Sequence, residues 1–233
     1  MTGFIVTGTP RSGTTHFCKT LNQKSNIFLP NSDHMEPLDL WNDMKNEDLI
    51  IDEDQFIQDQ LSKVKGYWGF KAFDGKYLST SVHDLAQRNG LHTFCLIRKD
   101  IRRAFLSFIV HRYGHIINQD DFYEKWSSVK YDKKIDFNLQ QIRSYAFFLV
   151  KHYYMMETKT HGLKIYFEDL ISSPEVSIPE VNEYFNQEIV FKYDYQDSPL
   201  EYYFQDYEKM LQPLKDILDI ARKQIDLPDY LQV

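Results

Sequence analysis

Residues 5–21 read IVTGTPRSGTTHFCKTL: an apolar run, a loop bounded by Gly8 and Gly13, and a stretch in which Phe17, Cys18 and Leu21 share one helical face. Strand, glycine loop and helix in direct succession form a cradle for an anion. Backbone N–H groups converge at the helix start, and the helix dipole adds positive potential there. Gly8 and Gly13 keep the five-residue interval of the phosphate-loop pattern GxxxxGK[ST], but Thr14 stands at its lysine position. A kinase or ATPase using ATP loses its main electrostatic element by that change, and no acidic metal ligand closes an apolar strand. Arg11, inside the loop, is the cation that takes the place of the lysine.

Outward from this loop, apolar strand patterns at Phe4–Thr7, Ile27–Leu29, Tyr67–Phe70, Thr93–Ile97 and Leu163–Phe167 alternate with helical ones. The helical patterns cover Thr14–Leu21, Asp54–Lys65, Lys76–Gln87 with a stop near Gly90, Ile101–Tyr113, Asn138–Met156 and Glu208–Gln224, with a helical turn over Glu168–Ser172. Such alternation predicts an α/β fold: a mainly parallel sheet flanked by helices on both faces, with ligands at the carboxyl ends of the strands. No linker or repeat divides the 233 residues, so a single P-loop-type domain over 1–233 is expected.

The net charge of −7 argues against duplex nucleic acid or an anionic membrane as a partner. A basic site must then be local, and residues 98–112 carry five basic side chains against one acidic. The apolar runs fall short of the roughly 18 consecutive residues of a spanning helix, and the chain enters a strand pattern without a signal core. A chain without a transmembrane segment, cytoplasmic in location, is expected. Cys18 and Cys95 each lie in an apolar stretch and read as reduced packing residues. Without HExxH, a cysteine cluster or an EF-hand pattern, no metal site is expected, and His111 and His115 lack a third ligand at meaningful spacing.

TPRSGTTHF, residues 9–17, resembles the 5′-phosphosulfate loop of sulfotransferases, which transfer a sulfuryl group from 3′-phosphoadenosine 5′-phosphosulfate (PAPS). By that resemblance Arg11, Ser12, Gly13, Thr14 and Thr15 hold the 5′-phosphosulfate. CLIRKDIRRAFLSF, residues 95–108, resembles the family's 3′-phosphate motif, which implies that Arg98 at a strand end and Ser107 on the next helix bind the 3′-phosphate. Their spacing is similar to that of the bacterial carbohydrate branch, of trehalose and Nod-factor type. The chemistry stands independently: an arginine fork matches phosphate oxygens, and a serine hydroxyl adds a neutral donor. A weaker third echo, LKIYFEDLISSPE at 163–175, has the position of the family's strand-to-helix segment.

Sulfuryl transfer requires in-line positioning, neutralisation of charge on the leaving phosphate and removal of the acceptor proton. Arg11 suits the second requirement. For the third, SDHMEPLDL at 32–40 offers Asp33, His34, Glu36 and Asp39. Glu36-Pro37 resembles the base of the bacterial and Golgi branches, and His34 is the other candidate. Lys71, at a strand end, resembles a lysine of the bacterial branch and is a candidate contact to the sulfonate or acceptor. The expected activity is PAPS-dependent sulfation of a hydroxyl on a carbohydrate or other small metabolite. A nucleotide or small-molecule kinase and a non-catalytic PAPS-fold binding protein are the alternatives. Acceptor choice is expected in the loops over residues 31–66, 114–137 and 193–207, and the oligomeric state is not legible.

Overall fold

The computed structural model describes residues 2–30, 52–72, 81–117, 139–193, 207–224, 227, 229 and 231. The chain divides into two compact units. One comprises Met1–Gly8, Ser12–Ile97 and Thr158–Asp194, and the other Thr9–Arg11, Arg98–Glu157 and Tyr195–Val233.

The first unit is built on a five-stranded parallel sheet with the order β2-β3-β1-β4-β5. Its strands are β1 (Thr2–Gly8), β2 (Ile27–Phe28), β3 (Tyr67–Lys71), β4 (His92–Ile97) and β5 (Leu163–Tyr166). Phe4 of β1 lies opposite Gly69 of β3 on one side and His92 of β4 on the other. From Gly3 to Gly8 β1 is buried, as a central parallel strand covered on both faces must be.

Alternation along β1 divides the core. Phe4 and Val6 pack with Phe17, Cys18 and Leu21 of α1 (Thr14–Asn22), and with Val181 and Phe185 of α7 (Pro179–Phe185). Ile5 points the other way, to Trp68 and Phe70 and to Ile57 of α2 (Glu53–Lys63) and Val82 and Leu85 of α3 (Val82–Asn89). Helices therefore cover both faces, and the α/β sandwich expected from the pattern is what forms. Because β3 and β4 lie on opposite sides of β1, the chain switches direction across β1, and crevices outside strand carboxyl ends arise at such a point.

Two local expectations need correction. The helix expected from Lys76 begins at Val82: Ser81 is extended and its hydroxyl caps the Asp84 N–H at 3.1 Å, while residues 76–80 lie outside the described residues. Phe167 starts the short helix α6 (Phe167–Leu170) and does not close β5. The pattern also gave no sign of the antiparallel pair β6 (Glu175–Ser177) and β7 (Val190–Lys192), joined through α7. Strands of three residues are too short to show a period, although Pro179 in the first turn of α7 is a helix-start signal.

The second unit contains α4 (Ile101–Ile117), nearly all of α5 (Leu139–Thr158) and α8 (Tyr207–Arg222). Phe108 of α4 meets Tyr145 edge-on and stacks with Phe148, both on α5. Ile101, Phe105, Ile142, Leu149 and Tyr153 are fully buried.

Candidate functional site

In the first unit the loop after β1 is shaped by two glycines. A Cβ on Gly8 would lie 2.3 Å from the Leu96 carbonyl oxygen and 2.8 Å from Ser12 Oγ, so only glycine lets the strand end turn there. Gly13 has φ +83° and is the N-cap of α1; a Cβ on it would lie 2.5 Å from the Tyr193 hydroxyl. Glycine brings no capping side chain, and the first turn of α1 holds no acid. The helix start therefore presents N–H donors and a positive dipole end, the chemistry of an anion site.

Lys71 adds a charge to it. At the carboxyl end of β3, 4% exposed, it donates from Nζ to Thr15 Oγ1 at 3.1 Å. An ammonium thus reaches the first turn of α1 from another strand, although the loop itself has threonine at position 14. Ser12 and Thr14 are buried and Thr15 is exposed. Cys18, on the same helix, is fully buried, and burial pushes its thiol up to about 12, with Lys71 pulling the other way.

In the second unit Thr9 and Arg11, which follow β1, are hydrogen-bonded to Arg98, which follows β4. Thr9 Oγ1 accepts the Arg98 N–H at 3.3 Å, and Arg98 Nη1 donates to the Arg11 carbonyl at 3.5 Å. The Tyr153 hydroxyl donates to the Arg98 carbonyl and holds that backbone from α5. Arg11 has φ +64°, a left-handed conformation that costs a non-glycine residue roughly 1 kcal/mol, and its Nε donates to Ser107 Oγ at 2.9 Å. Arg98 and Ser107 are each 6% exposed, whereas Arg11 is exposed. A guanidinium buried this deeply belongs with anionic oxygens.

Of the residues singled out from sequence, the first unit holds Ser12, Gly13, Thr14, Thr15 and Lys71, and the second holds Arg11, Arg98 and Ser107. His34 and Glu36 lie outside the described residues. Sequence reading missed Thr9 and Tyr153, which fix the Arg98 backbone, and His16 and Tyr193, which pack on the start of α1 with ring centroids 3.8 Å apart. Thr9 stood within the quoted motif, but nothing in a linear sequence pairs Tyr153 or Tyr193 with it. Among the described residues no three metal-ligating side chains cluster, and no helix is long and apolar enough to cross a membrane.

No family model matches this chain, and no curated protein matches it. Among the solved structures similar to it are two sulfotransferases. One is a sulfotransferase from Alicyclobacillus acidocaldarius, at 15% identity and a TM-score of 0.49, with 100% of this chain and 99% of that one covered. The other is mouse sulfotransferase SULT7A1 complexed with PAP, at 11% identity and a TM-score of 0.44, with 97% of this chain and 66% of that one covered.

Proposed function

We propose that residues 1–233 form one sulfotransferase-like domain that transfers a sulfuryl group from PAPS to a hydroxyl of a carbohydrate or other small metabolite. The observation that supports this reading is the bonding of Arg11 to Ser107 and Arg98. The resemblance assigns these residues to opposite phosphates of one nucleotide, and in the second unit they are directly hydrogen-bonded. The donor set fits such a ligand. Arg11, Arg98, Lys71, Ser12, Thr14, Thr15 and Ser107 offer cations and hydroxyls, and α1 offers N–H groups without an acid in its first turn.

PAPS supplies the activated sulfuryl group when bound. In this reading the loop 11–15 binds its 5′ end, with Arg11 neutralising phosphate charge, and Arg98 with Ser107 binds the 3′-phosphate. Lys71, fixed on Thr15, adds positive charge to the loop. Glu36 takes the acceptor proton, with His34 as the other candidate, and a carboxylate base needs a partly buried setting that raises its pKa.

Thermal unfolding with 3′,5′-ADP, with 5′-ADP and with ATP plus Mg²⁺ tests the donor assignment. A ligand at about 100 times its dissociation constant adds about 2.7 kcal/mol, a shift of several degrees. A strong shift by 3′,5′-ADP alone supports the reading and directs an acceptor screen with PAPS. A shift by ATP plus Mg²⁺ that equals or exceeds it favours a kinase and overturns the reading. Binding of 3′,5′-ADP with no turnover across acceptors would leave a non-catalytic PAPS-binding protein.

A further inference from the structure

The carbonyl of Gly13 accepts two bonds: the first helical bond of α1, from Phe17 N–H at 3.0 Å, and one from the hydroxyl of Tyr193 at 3.3 Å. Tyr193 follows β7 directly. Its contact is long for an O–H donor, but it does not act alone. The Tyr193 ring lies against His16, on the first turn of α1, and edge-on to Phe167, which begins α6. Phe167 also borders the space in which a side chain at position 13 would sit, its ring 3.0 Å from an added Cβ. His16 Nε2 is buried without a hydrogen-bond partner, and the ring is held beside Tyr193 by packing and by a hydrogen bond with the Lys192 backbone. Every one of these residues belongs to the first unit.

We infer that Tyr193, with His16, is a positioning residue for the anion loop: the end of β7 braces Gly13 in its left-handed turn and keeps the N–H groups at the start of α1 aimed into the cradle. Gly13 alone is free to leave that conformation, because glycine populates positive and negative φ about equally. A phenol bonded to its carbonyl and packed over its Cα removes that freedom. A phenol is a donor at neutral pH without any shift, and burial, with Cys18 adding to the effect, holds that of Tyr193 above the ordinary tyrosine range. The β6–β7 pair, which leaves no trace in the motif itself, thereby serves the site by carrying the brace.

This inference rests on the reading of the loop as the donor site, and its test separates the two. Tyr193→Phe keeps the ring and removes the donor; His16→Gln keeps the phenol and removes the ring stack. The first measurement is amide exchange at Phe17, whose N–H shares the Gly13 carbonyl, against Ile5 and Val6 of β1. Loss of one hydrogen bond speeds Phe17 exchange about three- to tenfold in Tyr193→Phe with β1 unchanged. The second is calorimetric binding of 3′,5′-ADP, weakened by a similar factor in Tyr193→Phe and less in His16→Gln. Unaltered Phe17 exchange, or acceleration equal to that of β1, overturns the brace whatever the ligand does. Faster Phe17 exchange in a protein whose wild type does not bind 3′,5′-ADP supports the brace and removes the donor-site reading. Faster exchange with unchanged 3′,5′-ADP affinity overturns the brace as a determinant of binding.

Discussion

Arg11 Nε donates to Ser107 Oγ at 2.9 Å across a sequence separation of 96 residues, joining the loop after β1 to the helix after β4. Ser107 thus accepts from Arg11 and orients its guanidinium, and in the proposed reading the same hydroxyl also meets the 3′-phosphate. Ser107→Ala is expected to weaken 3′,5′-ADP binding about tenfold, the effect of losing one hydrogen bond to a charged group. Isothermal titration calorimetry measures it, and unchanged affinity would remove Ser107 from the site.

Arg98 is expected to discriminate between nucleotides. Arg98→Ala should weaken binding of 3′,5′-ADP by about 2 kcal/mol or more, and that of 5′-ADP much less, because in the proposed reading a charge-assisted pair to the 3′-phosphate is lost only with the former. Competition binding with both nucleotides decides it. Equal weakening would put the 3′-phosphate elsewhere.

Lys71 is bonded to Thr15 and buried. Lys71→Met keeps the chain length and removes the charge, and is expected to lower affinity for 3′,5′-ADP about tenfold, with partial recovery in Lys71→Arg. No loss in the methionine variant would confine Lys71 to packing.

Gly13→Ala combines a left-handed backbone with a Cβ 2.5 Å from the Tyr193 hydroxyl. A destabilisation of about 1–3 kcal/mol is expected, read from urea unfolding midpoints. A variant as stable as wild type would show that the turn at position 13 is not constrained.

Stability is expected to fall as pH drops below 7. The pKa values of His16 and His92 lie below 6.5, each lowered chiefly by burial, with Lys19 adding to the effect at His16 and a backbone bond at Lys192 opposing it. Between the folded-state values and 6.5 the unfolded chain binds more protons, so stability rises with pH through that window and is fully present above it. Unfolding midpoints of the wild type and of His16→Phe and His92→Phe, measured from pH 7 downward, test this. Slopes that the substitutions leave unchanged would assign the pH dependence to other groups.

Much of the fold was legible because its signals are local. The buried run of β1, the glycine-bounded loop and the apolar face of α1 stand within residues 2–22, and the patterns of β3, β4 and β5 each show in a few consecutive residues. The start of α3 was misplaced because helical periodicity continues upstream of Ser81, whereas the extended backbone and cap at Ser81 decide the boundary. The pair β6–β7 was invisible because each strand is shorter than two alternations.

By itself the sequence determined the local elements: a glycine-bounded loop with arginine inside it and threonine at the lysine position, a basic stretch at 98–112, and strands and helices in α/β alternation, since residue type and spacing are enough for each. Tertiary structure alone decided who meets whom. It set β1 between β3 and β4, brought Lys71 to Thr15, bonded Arg11 to Ser107, and laid Tyr193 over Gly13. These contacts depend on strand order and on packing around buried side chains, which sum over many weak interactions far apart in the chain and leave no signature at any one position.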